Sequence, residues 1–387
     1  MYNMADKKNT AKKGGSGKII AFILALVLIS GTFYTVYYLL NRGKRVVNNH
    51  SETPTTTQAT ELTTGHTVKE TIMPKLETDD KSDGYLDGAV YIWQNKGYEV
   101  FKGTVNDAHT YADSINNYKK LLGKNYKVYN MVIPSATEIS LPERLSKKIS
   151  NLQMENINAI ILRLSPDVTP VDTYETLGQH RNDETPLYYN TDKLWTQYGA
   201  YYAYTALTKV LDVKPIQIDT LISSTADYNF LGSHVKATVS KETKNGNPML
   251  ISNPDTVIYY NLPDTATVTA LIQGEETPVA MSYYNSELTD GLAPSDIYAT
   301  KDCAYTVIQN NAVQSGKIAV VTDKYGYALA PFLCRNYSEV HLIDIDNFAR
   351  NLRTYLEENK ITNVLYLNGI MSANSVSKTS EMDAMFQ

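Results

Sequence analysis

Apolar and polar positions divide the chain into stretches of different character. Ile19–Leu40 is a run of 22 residues without a charge, and about 20 apolar residues at 1.5 Å rise span the hydrocarbon core of a bilayer. The run predicts an uncleaved transmembrane helix, since it exceeds the roughly 7 to 15 apolar residues of a signal peptide and no A-x-A-like site follows it. From about Tyr85 short apolar runs alternate with helical periodicity. AVYIW (Ala89–Trp93), KVYNMVIP (Lys127–Pro134) and AIILRL (Ala159–Leu164) read as strands, with a helix over Asp107–Leu122. Ile318–Thr322, Glu339–Ile345 and Asn363–Asn368 read as three more, joined by helices over Tyr325–Leu333 and Phe348–Glu358, which predicts a parallel sheet. Over Leu194–Leu211, Tyr198, Tyr201, Tyr204, Leu207 and Leu211 fall three or four apart, so these side chains share one helix face and belong to the core. Residues 223–315, rich in Thr, Val, Tyr, Asn, Gly and Pro, read as a β-rich insertion.

Charge and composition then orient this layout. Residues 1–45 hold eight Lys/Arg against Asp6 alone, in a chain whose formal net charge is −5, so everything beyond is acidic. An acidic body excludes nucleic acid as the expected partner. Five lysines precede the apolar run and three basic residues follow it, which places residues 1–18 in the cytoplasm. Residues 41–84 form a Thr-rich stalk, with ten Thr between Thr53 and Thr78 and almost nothing to bury. Residues 85–387 then form one extracellular α/β domain on a single-pass membrane protein. Two cysteines, Cys303 and Cys334, make no disulfide framework, though one bond between them is open. Thirty tyrosines against seven phenylalanines suit surfaces where a ring needs a wet tip, as beside carbohydrate.

No cofactor is indicated: no G-x-G-x-x-G follows a strand, and no phosphate-binding G-x-x-x-x-G-K-[ST] occurs. Six scattered histidines without metal-ligand spacing make a protein-built metal site unexpected. Nucleophilic catalysis needs a serine at a strand-to-helix turn with a histidine held by a carboxylate. The turn Thr322–Gly326 is present, but it reads T-D-K-Y-G, with Lys324 at the serine's place.

That turn and PLYYNTDKLWTQYGAYYAYTAL (Pro186–Leu207) resemble the bacterial DHHW proteins, in which an aromatic strand leads to T-D-H-H-W and a G-A-Y-Y-A-Y helix. VYNMVIPSATEISLPERL (Val128–Leu145), NFLGSH (Asn229–His234), VVTDKYGYALAPFL (Val320–Leu333) and ITNVLYLNGIMSANS (Ile361–Ser375) extend the resemblance over nearly all of residues 85–375. The family is similar to the SGNH-hydrolase-like alginate O-acetylation proteins. The resemblance therefore implies an SGNH/flavodoxin-like parallel sheet with helices on both faces and a Ser-His-Asp acyl-transfer or esterase site. Carried over by position, that triad is broken: Asp192 and Trp195 match, whereas Lys193 and Leu194 stand for the two histidines and Lys324 for the serine.

Leu194 has no group that exchanges a proton, and a lysine ammonium has no lone pair for attack. Loss of one triad member already removes most of the rate. The expectation is a non-catalytic member that binds a cell-wall or capsular polysaccharide, or scaffolds its O-acetylation beside a membrane-bound O-acyltransferase, in the envelope of a Gram-positive bacterium. Asp192, Lys193, Trp195, Lys324 and Tyr325 are its candidate binding residues, with an Asp192–Lys324 ion pair filling the former triad. Asp192 and Trp195 read equally as a helix N-cap and a core aromatic. The rival readings are an active O-acetyltransferase or esterase working through other residues, such as Ser135 with His180 or His341, and a purely structural envelope protein.

Overall fold

A computed structural model of the chain describes residues 65–69, 71–289 and 296–387. The expected transmembrane helix, the cytoplasmic tail and residues 41–64 of the stalk lie outside the described residues. Among the described residues no helix is long and apolar enough to cross a membrane.

Strands β1 (Tyr85–Asp87), β2 (Val90–Trp93) and β3 (Lys96–Glu99) make a small antiparallel sheet. Further along the chain come β4 (Lys127–Ile133), β5 (Val168–Pro170), β6 (Ser223–Phe230), β7 (Asp255–Tyr260), β8 (Ala266–Ile272), β9 (Val279–Ala280), β10 (Cys303–Asn310), β11 (Lys317–Thr322), β12 (Glu339–Asp344) and β13 (Asn363–Gly369). The main sheet has the order β5-β4-β13-β11-β12-β10-β8-β9, and β6 pairs with β7 apart from it. Its first five strands are parallel and the last three antiparallel, so the sheet is mixed. This corrects the expectation of a parallel sheet carrying a separate β-rich insertion, because β8, β9 and β10 come from the insertion and extend the sheet past β12. Numbered along the chain, the five parallel strands lie 2-1-5-3-4 rather than in the flavodoxin order 2-1-3-4-5.

Side chains alternate across the parallel strands and feed two cores. Ile318 and Val320 of β11, with Leu365 and Leu367 of β13, pack on the side of the helices Gln197–Leu211 and Gly326–Leu333. Ala319, Val321, Val364 and Tyr366 face the helices Val105–Leu122, Gln153–Arg163, Leu352–Glu358 and Val376–Ala384. Burial on both faces is why these strands read as near-continuous apolar runs. The helix from Val105 starts where Thr104 and Asp107 cap each other's backbone N–H groups. Tyr201, Tyr204 and Leu207 are buried as their spacing predicts.

Ala159–Leu164, expected as a strand, is the end of the helix Gln153–Arg163 and the residue that caps it. Ile157, Ile160, Ile161 and Leu164 are buried three or four apart, and a short apolar run does not distinguish that pattern from a strand. The last part of the composition-defined stalk packs on the body: Leu76 is buried in its core, Arg144 forks onto Asp79, and Asn182 bonds the backbone of Glu77 and Lys75. Cys303 and Cys334 are both free and buried.

Candidate functional site

Two turns meet at the carboxyl edge of the parallel strands, where open α/β sheets place their ligands. In the first, Leu187–Thr196 doubles back on itself, with Tyr188 bridging Trp195 and the Thr196 N–H donating to the Leu187 carbonyl. Asp255 of β7 holds its tip, accepting from the backbone N–H groups of Asn190 (2.6 Å) and Thr191 (2.8 Å) and from the Thr191 hydroxyl (2.5 Å). Asp192 accepts from the backbone of Leu194 (2.9 Å) and Ser233 (2.6 Å), so its carboxylate is consumed in fixing the turn. A Cβ on Gly232 would stand 2.4 Å from that of Asp192, and only glycine lets the Phe230–Ser233 segment close on the carboxylate. The N-cap of the following helix is Thr196, not Asp192.

The second turn follows β11. The Thr322 hydroxyl accepts from the Gly326 N–H (3.0 Å), and Asp323 accepts from the N–H groups of Tyr325 (3.0 Å) and Gly369 (2.9 Å), joining the ends of β11 and β13. The two turns face each other. Trp195 donates its indole N–H to the Tyr325 carbonyl (3.0 Å), the two rings meet edge to face at 5.4 Å, and the Tyr325 hydroxyl donates to the Lys193 carbonyl (2.8 Å).

Lys324 points elsewhere. Its ammonium donates to Asp344 (2.5 Å) and to the Lys301 carbonyl (2.7 Å), and the expected Asp192–Lys324 pair does not form. The reason is register: β12 lies beside β11 with Asp344 opposite Thr322, which puts a carboxylate within reach of a side chain two residues further on. Asp344 also accepts from the Tyr327 hydroxyl, the Asp346 N–H and the Asn347 amide. Burial pushes its carboxyl up while Lys324 draws it back. Of the proposed binding residues, Trp195 is 1% exposed, Asp192 and Tyr325 are buried, and only Lys193 turns its side chain to solvent. Trp195 lies in the core cluster and leaves almost no ring surface open to solvent.

Ser135 is buried, with its backbone N–H and hydroxyl both tied to Gln153. His341 lies in β12 between Tyr355 (2.8 Å) and Glu339 (3.0 Å), level with Ala319 and away from the carboxyl ends. His180 is bonded to Asp183, and the Ser135 hydroxyl is bonded to Gln153 rather than to either histidine. Two residues beside the turns escaped the sequence reading. His234, next to Gly232–Ser233, is buried with no partner for its Nε2 among the described residues, and burial pushes its ring down to about 4. Glu99 ends β3, and burial pushes its carboxyl up to about 7; Asp192 and Asp323 add to the rise and Lys193 opposes it.

This shift has a testable sign. Between the usual 4.5 and about 7 the folded protein keeps a proton that the unfolded chain has released. Glu99 therefore favours folding least above about 7, and stability falls as pH rises through that window by about 3 kcal/mol at about 1.4 kcal/mol per unit. Urea midpoints of the native and Glu99→Gln proteins at about pH 5 and pH 8 check this. The variant should lose less stability across the interval, and parallel losses would show that Glu99 titrates normally.

With the geometry in place, comparison with known proteins decides the family. A family model described as DHHW protein matches residues 64–343. The chain belongs to the DHHW family. This DHHW protein is similar in fold to a DHHW family protein from Eubacterium siraeum, at 24% identity and a TM-score of 0.67 over 79% of this chain and 99% of that one. It is also similar to PatB1 from Bacillus cereus, at 19% identity and a TM-score of 0.57 over 79% and 98% of the two chains. The form of PatB1 carrying a sulfonyl adduct matches at 18% identity and 0.58 over 77% and 98%. No curated protein matches the chain.

Proposed function

We propose that this DHHW protein is a non-catalytic component of envelope polysaccharide O-acetylation, which binds glycan or scaffolds the acylating machinery. Its folded part lies outside the cell behind the Ile19–Leu40 anchor, and a membrane-bound O-acyltransferase is its partner. The observation that carries this reading is the state of the two turns. They keep their mutual packing, yet the position matching the family's serine holds Lys324, locked onto Asp344, and a buried Leu194 stands where a base is needed. A covalent sulfonyl adduct, as in PatB1, requires a reactive nucleophile. In this chain the position that resembles the family's serine is Lys324, held by Asp344, and this supports the non-catalytic reading.

The test is turnover of acetyl esters and labelling by a sulfonyl fluoride, on the full chain in mild detergent. No turnover above a denatured control and no mass shift are expected. A Leu194→His, Lys324→Ser, Asp344→Asn protein should gain labelling at the new serine; the third change is needed because the serine alone leaves Asp344 buried and unpaired. Clear native turnover would overturn the reading in favour of an active acetyltransferase or esterase.

A further inference from the structure

Beside the first turn, a cavity of about 290 Å³ opens between β3, the Pro186–Asn190 arm of that turn and the segment around Leu76. Its wall carries polar groups that the protein leaves unused. Tyr98 is 2% exposed, and no described residue bonds its hydroxyl. The half-buried Lys96 ammonium, two residues before it on β3, also has no hydrogen-bond partner among the described residues; burial pushes its pKa down and Asp255 draws it back. A hydroxyl and an ammonium that line the cavity without a protein partner among the described residues are free to bond a ligand there.

The opposite wall presents a fixed acceptor. His180 Nδ1 lies 2.8 Å from Asp183 Oδ2, an oxygen that also accepts from the Tyr198 hydroxyl (2.8 Å), and the His180 ring stacks on Tyr202 at 3.4 Å between centroids. A carboxylate only accepts, so Nδ1 carries the proton, and in the neutral ring Nε2 is the acceptor. Stacking and the Asp183 bond together hold the ring in one orientation.

The charges lining the cavity balance, Lys96 and Arg181 against Asp183 and Glu184, which leaves no net field for an anion. Leu76 and Leu187 add an apolar patch. A volume at the small end of ligand pockets, roughly 300 to 1,000 Å³, admits one ring rather than a chain.

We propose that this cavity binds a single uncharged sugar residue, whose hydroxyls accept from Tyr98 and Lys96 and donate to His180 Nε2 while its C–H face lies on Leu187. The proposal rests on the glycan-binding reading above and gives that glycan a place on the Leu187–Asn190 arm of the first turn, separate from Asp192, Trp195 and Lys324.

The full chain is titrated, by saturation-transfer NMR, with the methyl glycosides of glucose, galactose and N-acetylglucosamine and separately with inorganic phosphate. Binding of at least one glycoside and none of phosphate is expected. Tyr98→Phe, which removes one hydroxyl and little packing, should weaken that binding roughly tenfold. Lys96→Met should do the same if Tyr98→Phe does not fold, and Lys209→Ala on an exposed helix face should leave it unchanged. Glycoside binding that both cavity variants retain would overturn the cavity while sparing the glycan reading. Absence of any glycoside binding would overturn both, and preferential phosphate binding would overturn the sugar assignment.

Discussion

Replacing Trp195 by alanine is expected to cost about 3 to 5 kcal/mol of stability, the range for emptying the site of a buried large aromatic. The side chain is 1% exposed, sits in the core beneath the helix Gln197–Leu211, and joins the two turns through its bond to the Tyr325 carbonyl and its contact with the Tyr325 ring. Alanine removes the ring volume and also leaves that buried carbonyl without its donor, so the two losses add at one place. Trp195→Phe keeps most of the packing and loses the N–H, and its cost should be clearly smaller. Urea midpoints for the three proteins measure the order. A Trp195→Ala protein as stable as the native one but unable to bind glycan would return Trp195 to the binding surface.

The parallel strands were legible because burial on both faces leaves an apolar run, and the run gives an element without needing its neighbours. The strands β4, β11, β12 and β13 appear within a residue or two of their expected ends. What strand neighbours decide was not legible. β8 to β10 carry the same Thr, Val and Tyr composition whether they form a lobe of their own or join β12, and only pairing tells which. The helix Gln153–Arg163 hid for the opposite reason: its apolar residues crowd into its last turns and mimic a strand.

The same distinction runs through the candidate site. The motifs located the Asp192 and Lys324 turns, since each turn is a local object, and Trp195 and Tyr325 join them. Which way each side chain points depends on the strand alongside, and Lys324 went to Asp344 because β12 lies next to β11. Glu99 and the partner of His180, Asp183, were missed because neither belongs to a motif; their character comes from burial and from one partner nearby. The Phe230–Ser233 segment, by contrast, has a legible physical purpose once the turn is seen. Its glycine and two backbone N–H groups cradle Thr191 and Asp192, fixing the turn.

Lys324→Met is the second large effect expected, about 3 kcal/mol at neutral pH, the lower end of what breaking a buried ion pair costs. Asp344 is 0% exposed at its side chain and Lys324 16%, so little solvent replaces the lost ammonium. The hydrogen bonds from Tyr327, Asp346 and Asn347 remain, which keeps the loss from being larger. The pH dependence follows from Asp344, whose carboxyl burial already holds above its usual value against the pull of Lys324. Without that pull the folded-state pKa rises further, so the folded variant takes up a proton that the unfolded chain gives away. The deficit is then full above the raised pKa and shrinks as pH falls through it. Adding Asp344→Asn to Lys324→Met removes the unpaired charge and should recover most of the stability at neutral pH. Urea unfolding of the single and double variants at about pH 5 and pH 8 separates these outcomes. A single variant as stable as the native protein at both would mean that the Lys324–Asp344 pair is not what holds this turn. If the deficit appears, Lys324 is a structural commitment of the fold, and any substitution there that ignores Asp344 will loosen the turn.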